Sequence, residues 1–245
     1  QVADIYKELQ LVEFEYRKTK DLDAFLSESK ALNSKIDSKS IKWLKSQRKI
    51  TEPWMDLMSR SSHVAKMLKD EKTLIELRSI WDGVGETFKD NPKGKTITMA
   101  LQPQGVPLKV GDMFPYDTDV SDIHGHCHSL SQFKGEHMLL YFNSYGCKPC
   151  VEAKKELTEL ADSMKGIIEI IGLNVDASDV WKAKGKDNPV PWNDFNEEKE
   201  SYGLNLRFKT VGIPAFVIIS DEGEILDVWS GYREGIIVER INKVL

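Results

Sequence analysis

The sequence predicts an all-α N-terminal segment followed by an α/β domain, and three observations support this prediction. Apolar residues recur at helical spacing from Val2 to about Phe88. Beyond residue 115 the period changes, and short continuous apolar runs suited to buried strands appear instead. The length of 245 residues favours two compact domains, at roughly 150 residues per domain. We therefore expect a helical domain over residues 1–100, a connector over 101–115 and an α/β domain over 116–245.

The N-terminal segment is expected to contain several helices. The first is marked by apolar residues three or four positions apart, namely Val2, Ile5, Leu9, Val12 and Tyr16. A later helix has Pro53 in its first turn and Thr51 as its expected cap. The last helix is expected from Leu74 to Phe88, ending at Asp90-Asn91-Pro92-Lys93-Gly94 because these residues favour turns.

The C-terminal half predicts a strand, helix, strand unit. Met138 to Phe142 is a continuous apolar run typical of a buried strand, Val151 to Met164 has helical periodicity, and Ile167 to Leu173 is a second apolar run. Such a unit pairs its two strands in parallel. The other expected elements are an added N-terminal hairpin (113–118 and 127–130), a C-terminal hairpin (215–219 and 224–229) and a last helix (233–245).

A C-x-x-C motif, Cys147-Lys148-Pro149-Cys150, follows the first buried strand and opens the predicted helix. The first thiol of such a motif faces solvent and the positive end of the helix dipole, whereas the second is buried one turn later. Cys147 is therefore the expected nucleophile toward a partner disulfide, and Cys150 the thiol that resolves the mixed disulfide. Lys148 adds a cation beside Cys147, and Pro149 suits an early helix position. A zinc site and a purely structural disulfide are the alternatives, although zinc usually needs a second cysteine pair and a three-residue spacing closes little loop.

A second motif, Gly212-Ile213-Pro214, immediately precedes the apolar run at 215–219. Proline at the start of a strand is tolerated only at special positions. We expect a cis peptide bond before Pro214, in a loop opposite the cysteines where the Ile213 backbone pairs with an extended substrate segment. An ordinary trans proline entering an edge strand is the alternative.

Further short motifs accompany these two: Val110-Gly111-Asp112, Phe114-Pro115, Asp122-Ile123-x-Gly125, Ser129-Leu130-x-x-Phe133-Lys134-Gly135, the segment 140–150 and Asp221-x-Gly223. Together, over residues 110–245, they resemble the thioredoxin superfamily and more closely the TlpA-type (ResA-like, AhpC/TSA-like) extracytoplasmic thiol-disulfide oxidoreductases. The resemblance implies a thioredoxin-like fold with an added N-terminal β-hairpin, Cys147 and Cys150 as catalytic residues, and Pro214 as the cis proline. Ile213, Pro214, Lys148 and Pro149 are expected beside the substrate. The preceding helical segment weakly resembles those of Bacteroidetes envelope proteins.

Three positions depart from the pattern of this family. Gly146 stands where tryptophan is usual, Tyr141 replaces the buried aspartate of thioredoxins, and Ala153 replaces a helix glutamate common in TlpA-type proteins. Deprotonation of Cys150 then depends on another base, on water or on Glu152.

Composition and charge narrow the class of partner. Lys and Arg outnumber Asp and Glu by 19 to 16 in residues 1–100, but are outnumbered by 15 to 23 in the remainder. An acidic second half without a basic, aromatic-rich patch argues against nucleic acid and favours protein disulfide or dithiol substrates with a regenerating redox partner. No cofactor is expected. The resemblance implies the periplasm or cell envelope, and the start at Gln1 fits a removed leader or a shortened chain, with any lipid or membrane anchor outside this sequence.

Several residues allow more than one interpretation. His124, His126, Cys127 and His128 have the ligand types of a metal site, but alternation along a strand turns Cys127 away from His126 and His128. Cys127 is expected to be a small buried residue, with an auxiliary thiol as the alternative. Core packing is expected of Trp43, Trp54 and Trp81, with a partner groove as the alternative, while Trp192 and Tyr202 either pack or border the substrate groove.

The competing functions are a thiol peroxidase, whose Pro-x-x-x-Thr-x-x-Cys signature is missing, and a non-enzymatic partner- or metal-binding module.

Overall fold

The computed structural model describes residues 22–103, 105–199, 202–208, 210 and 212–245, together with positions 7 and 11. The apolar residues that predict the first helix lie outside this described part. The chain divides into two compact units, residues 1–103 and 104–245.

The first unit is all-α in its described part. Its helices are α1 (Leu22–Ser46), α2 (Glu52–Met67), α3 (Glu71–Asp82), α4 (Glu86–Lys89) and α5 (Pro92–Leu101). Buried side chains of α1, α2, α3 and α5 form one core, which includes Leu44, Met58, Leu77 and Ile97. An all-α segment before the sheet is therefore confirmed.

Two expectations about this unit were wrong. Residues 74–88 do not form one helix, because α3 ends at Asp82 and a separate short helix α4 follows. The segment expected to stop a helix instead starts α5. Asn91 caps it by accepting a 2.8 Å hydrogen bond from the backbone N–H of Gly94, and Pro92 occupies the first turn, where a missing N–H costs nothing.

The tryptophans of the first unit divide between core and surface. Trp54 and Trp81 are buried and stack on one another with ring centroids 6.3 Å apart. Trp43 is exposed, so the core interpretation is confirmed for two of the three. Thr51 precedes α2 as predicted, but its side chain makes no capping hydrogen bond.

The second unit contains a seven-stranded mixed sheet in the order β2-β1-β5-β4-β3-β6-β7. Its strands are β1 (Asp119–Ser121), β2 (Cys127–Ser129), β3 (Met138–Asn143), β4 (Glu169–Asn174), β5 (Asn193–Asn196), β6 (Ala215–Ile219) and β7 (Ile225–Ser230). Strands β3, β4 and β5 are mutually parallel, whereas β6 and β7 are antiparallel to their neighbours. The predicted strand, helix, strand unit and the C-terminal hairpin are confirmed.

In the described part of this unit, four α-helices accompany the sheet: α6 (Lys148–Met164), α7 (Ser178–Lys186), α8 (Leu204–Arg207) and α9 (Ile236–Val244). The central strands β3, β4 and β6 are buried on both faces. Alternate residues of β3 belong to different cores: Leu139 and Tyr141 pack with α6 and α9, whereas Leu140 and Phe142 pack in the core on the opposite face. This alternation decides which side chains reach the cysteines.

The N-terminal hairpin is present, with its first strand later than expected. Strand β1 begins at Asp119 and pairs with β2 in antiparallel register, Val120 opposite His128. Residues 113–118 do not form a strand of this hairpin, and Phe114 among them packs in the core on one face of the sheet. No helix in the described part of the chain is both long enough and apolar enough to cross a membrane.

Candidate active site at the start of helix α6

Cys147 and Cys150 are joined by a disulfide at the N-terminus of α6. Strand β3 ends at Asn143, a short loop follows, and Cys147 is the N-cap residue of the helix. Cys150 is buried, with 2% of its surface exposed, and packs in the core between the sheet and α6. Cys147 is only half-buried, so the two sulfurs differ in solvent access as the sequence predicts.

The backbone around Cys147 suits a negatively charged sulfur. The N–H of Cys150 donates a 3.2 Å hydrogen bond to the Cys147 sulfur. This N–H belongs to the first turn of a 17-residue helix, where the helix dipole also favours negative charge. Lys148 and Pro149 occupy the rest of this turn and are exposed. A thiolate formed by reduction at Cys147 is therefore stabilised by the helix start.

The Pro214 loop lies directly beside Cys147. The Ile213–Pro214 peptide bond is cis, as predicted. The Ile213 carbonyl oxygen is 3.6 Å from the Cys147 sulfur, and the Ile213 side chain is partly buried against the cores on both faces. The structure therefore brings Cys147, Ile213 and Pro214 together, with Lys148 and Pro149 on the adjacent exposed turn.

The structure shows the burial and contacts of Tyr141 and Ala153, which depart from the family pattern, and of Glu152. Tyr141 is buried and its hydroxyl donates a 2.6 Å hydrogen bond to the carbonyl oxygen of Cys150. Burial raises the pKa of this hydroxyl well above its usual range, with a further contribution from Asp194. Ala153 is buried and carries no acid. Glu152 is exposed and pairs with Lys155 at 3.0 Å, so it does not face Cys150.

The structure adds an acid that the sequence analysis missed. Asp194 of β5 accepts a 2.9 Å hydrogen bond from the indole N–H of Trp181 and lines a small cavity together with Cys150. Burial raises the pKa of this carboxyl, while Trp181 and Lys154 oppose the shift. Asn193-Asp194-Phe195-Asn196 contains a single apolar residue, so it carried no strand signal that would have identified Asp194.

The histidine cluster is organised around one carboxylate. The ring nitrogens His126 Nδ1 and His128 Nε2 lie 2.9 and 3.1 Å from the same oxygen of Asp122. Cys127 is exposed and free of a disulfide, so the expectation that it is buried was wrong. Strand β2 is at the edge of the sheet, and one face of an edge hairpin is open to solvent. Among the described residues, no group of three or more His, Cys, Asp or Glu side chains is arranged to hold a metal ion.

The aromatic residues of the segment between β4 and β6 lie in different surroundings. Trp192 is partly buried and packs against the core that contains Cys150, whereas Tyr202 is half-buried after β5. Trp192 also lines the cavity shared by Cys150 and Asp194. Trp192 therefore packs against this core, and the alternative that Trp192 or Tyr202 borders a substrate groove stays a prediction.

One family model and several solved structures are similar to part of this chain. Residues 135–225 match the family model described as thioredoxin-like. Among solved structures, the thioredoxin domain of a thiol-disulfide oxidoreductase from Bacteroides vulgatus is 24% identical, with 56% of this chain and 99% of that chain covered and a TM-score of 0.48. A thiol:disulfide interchange protein from a Bacteroides species is 25% identical (49% and 81% covered, TM-score 0.42). A secreted disulfide oxidoreductase of Mycobacterium tuberculosis is 13% identical (52% and 96% covered, TM-score 0.45).

The family model spans β3, the cysteine motif, α6, β4 and β5, which are the elements that build the site. The cis Pro214 and β6 also lie within the matched residues, and the added hairpin precedes them in the same unit. The second unit therefore has a thioredoxin-like fold, with residues 135–225 matching the thioredoxin-like family model and a C-x-x-C disulfide at the start of α6.

Proposed function

We propose that this domain is a thiol-disulfide oxidoreductase that exchanges the Cys147–Cys150 dithiol or disulfide with protein substrates, acting as a reductase in the cell envelope. The observation that carries the proposal is the unequal environment of the two sulfurs across one helical turn. Cys147 is half-buried at the N-cap of α6, and Cys150 is buried behind it. A nucleophile needs solvent access, and a resolving thiol needs to reach only the nucleophile.

The reaction divides into two exchanges. The thiolate of reduced Cys147 attacks a client disulfide, forming a Cys147–client disulfide and releasing the other client sulfur as a thiolate. The thiol of Cys150 then loses its proton and attacks Cys147, forming the Cys147–Cys150 disulfide and releasing the second client sulfur. Two electrons pass to the client disulfide, and a redox partner must return two electrons to the domain.

The surface around Cys147 supports recognition of an extended protein segment. The Ile213 backbone lies beside the sulfur, and Lys148 and Pro149 form the exposed turn next to it. Val151, the next residue after Cys150, is also 43% exposed, which adds an apolar contact. A client strand lying along Ile213 would place its cysteine against Cys147 while its neighbours contact these side chains.

Location in the periplasm or cell envelope is part of the proposal. It is supported by the resemblance of residues 110–245 to extracytoplasmic TlpA-type proteins.

The proposal is tested by insulin disulfide reduction in the presence of dithiothreitol, using the full chain. We expect turnover by the parent protein and none by Cys147→Ser. Cys150→Ser should accumulate a mixed disulfide that is visible by mass spectrometry under non-reducing conditions. Turnover that persists in Cys147→Ser, or peroxide consumption with a thiol donor in place of insulin reduction, would overturn the assignment.

A further inference from the structure

Asp194, Gly172 and Tyr141 form one row across three neighbouring strands. Tyr141 of β3 is in register with Gly172 of β4, and Gly172 is in register with Asp194 of β5. Residues in register on adjacent parallel strands point to the same face of a sheet. The buried tyrosine beside Cys150 therefore has a carboxyl group two strands away in the same row.

The face toward which Asp194 points is settled by its neighbour. Phe195 belongs to the core on the face opposite α6, and successive side chains of a strand point to opposite faces. Asp194 thus points toward α6 and Cys150. Gly172 leaves room for it, because a Cβ atom on Gly172 would collide with Asp194 Oδ1 and lie 3.0 Å from the indole nitrogen of Trp192.

Asp194 and the buried Cys150 line one small cavity of about 30 Å³. The polar side chains of Tyr141, Lys154 and Asp194 are among its lining groups. A cavity of this size with polar groups in its wall is large enough for a water molecule, which needs roughly 10–15 Å³. Asp194 also lines a second, larger pocket of about 480 Å³. The carboxyl group therefore borders both the cavity at Cys150 and the larger pocket.

The charges around Asp194 come from several elements. The titratable groups that face it or line its two cavities are Tyr141 of β3, Tyr145 in the following loop, Lys154 of α6, Lys186 of α7, and Asp122, His124 and His128 of the hairpin. Burial is the largest influence and raises the pKa of Asp194, and Lys154 opposes it. Burial also raises the pKa of Tyr145 to about 12, so that its phenol stays neutral. Asp194 is thus a partly buried acid with one nearby cation on α6.

We propose that Asp194 is the proton acceptor for the resolving thiol of Cys150, acting through a water molecule in the cavity that both residues line. This inference rests on the proposed function. In the resolution step the Cys150 thiol passes its proton through the water to the Asp194 carboxylate, and the Cys150 sulfur attacks Cys147. The Cys147–Cys150 bond forms, the Cys147–client bond breaks, and the client leaves as a thiolate. Asp194 later releases the proton into the larger pocket that it also lines.

The competing acceptors fit the structure less well. Glu152 is exposed and paired with Lys155, and the Tyr141 hydroxyl already donates to the Cys150 carbonyl oxygen. Bulk water has little access to Cys150, because only 2% of the surface of this residue is exposed. The Asp194 carboxyl group is the better placed base, because it lies on the Cys150 face of the sheet and lines the same water-sized cavity.

The test separates the two exchanges by using Ellman's reagent as the client. In a Cys127→Ser background, attack by reduced Cys147 releases one thionitrobenzoate, and attack by Cys150 on the resulting mixed disulfide releases a second. We expect Asp194→Asn, which keeps an oxygen for Trp181, to release the first at the parent rate and the second roughly 100-fold more slowly near neutral pH, the low end for a positioned proton acceptor. Asp162→Asn, on an exposed residue of α6, is the matched control.

The pH profile supplies a readout that a structural role would not move. Resolution in the parent should accelerate with pH through the titration of Asp194, and Asp194→Asn should lose this inflection. Lys154→Gln removes the nearby cation, so it should move the inflection to higher pH, whereas Lys155→Gln should not. Because Lys154 is only partly buried, this variant also carries the test if Asp194→Asn does not fold.

The outcomes distinguish the two proposals. A parent protein that releases no second thionitrobenzoate contradicts the proposed function itself. A parent that resolves normally, together with Asp194→Asn and Lys154→Gln variants that keep its rate and inflection, overturns only the role of Asp194.

Discussion

The Tyr141 hydroxyl donates a 2.6 Å hydrogen bond to the carbonyl oxygen of Cys150 and so joins β3 to the first turn of α6. The tyrosine ring is buried and stacks on Phe216 with centroids 5.2 Å apart. Tyr141 therefore holds Cys150 through the Cys150 backbone. The proton chemistry that thioredoxins assign to an aspartate here needs another residue, for which Asp194 is our candidate.

We expect Tyr141→Phe to lower the free energy of unfolding by about 1 kcal/mol, because it removes one buried hydrogen bond while keeping the ring. Urea unfolding of the oxidised protein measures this change. Tyr116→Phe is the matched control, since the Tyr116 hydroxyl is buried without a hydrogen-bond partner among the described residues. Its removal should be neutral or stabilising, and equal losses in both variants would contradict the expectation.

Gly172→Ala should destabilise the second unit by about 1–3 kcal/mol, because the new methyl group overlaps the Asp194 carboxyl in a packed site. Thermal unfolding of the full chain measures the loss. Gly146→Ala serves as the comparison: the nearest atom to a Cβ there is Ser144 Oγ at 3.8 Å, an ordinary contact. Equal stability of Gly172→Ala and the parent would show that Asp194 has room to move.

Cys127 should be the one cysteine that iodoacetamide alkylates in the oxidised native protein, because it is exposed and the other two form the disulfide. Mass spectrometry is expected to find a single label, and Cys127→Ser none. Insulin reduction by Cys127→Ser should equal that of the parent, since the side chain lies on the edge hairpin and outside the α6 site. A turnover loss in this variant would identify Cys127 as an auxiliary thiol.

Much of the second unit could be predicted because its strands are strongly apolar. Met138 to Phe142 and Ala215 to Ile219 are buried on both faces, so their sequences identify central strands directly. The cysteine motif follows one of these strands and the cis Pro214 precedes the other. The positions of Cys147 and Pro214 therefore followed from local sequence together with the family resemblance.

Asp194 could not be predicted, because β5 is a strand through pairing rather than through its own residues. The backbone of β5 is paired with β4, a strand of mostly apolar residues, whereas three of the four residues of β5 are polar. Helix α5 was missed for a different reason. Asn91-Pro92 has the composition of a turn, yet the same residues cap a helix when ten helical residues follow.

Asp37 is a buried acid in the first unit and gives that unit a distinct dependence on pH. It lies on α1 with 1% of its surface exposed. Burial is the largest cause that raises its pKa, to about 6 from 3.8, with Asp70 adding to the shift and Arg60 and Ser61 opposing it. The folded state therefore binds this proton more tightly than the unfolded state does.

The sign of the effect follows from linkage. Below about pH 4 the carboxyl is protonated in both states, and its favourable contribution is complete; as pH rises through about 6, the buried group ionises and that contribution is lost. Asp37→Asn stays neutral, so we expect it to raise the free energy of unfolding by about 1–3 kcal/mol at pH 8, at roughly 1.4 kcal/mol per pKa unit, with little gain at pH 4. Urea unfolding at the two pH values measures this, with the exposed Asp82→Asn as control. If Asp37→Asn instead destabilises the protein at pH 8, the carboxylate is ionised and held by Arg60, and burial is the weaker of the two effects.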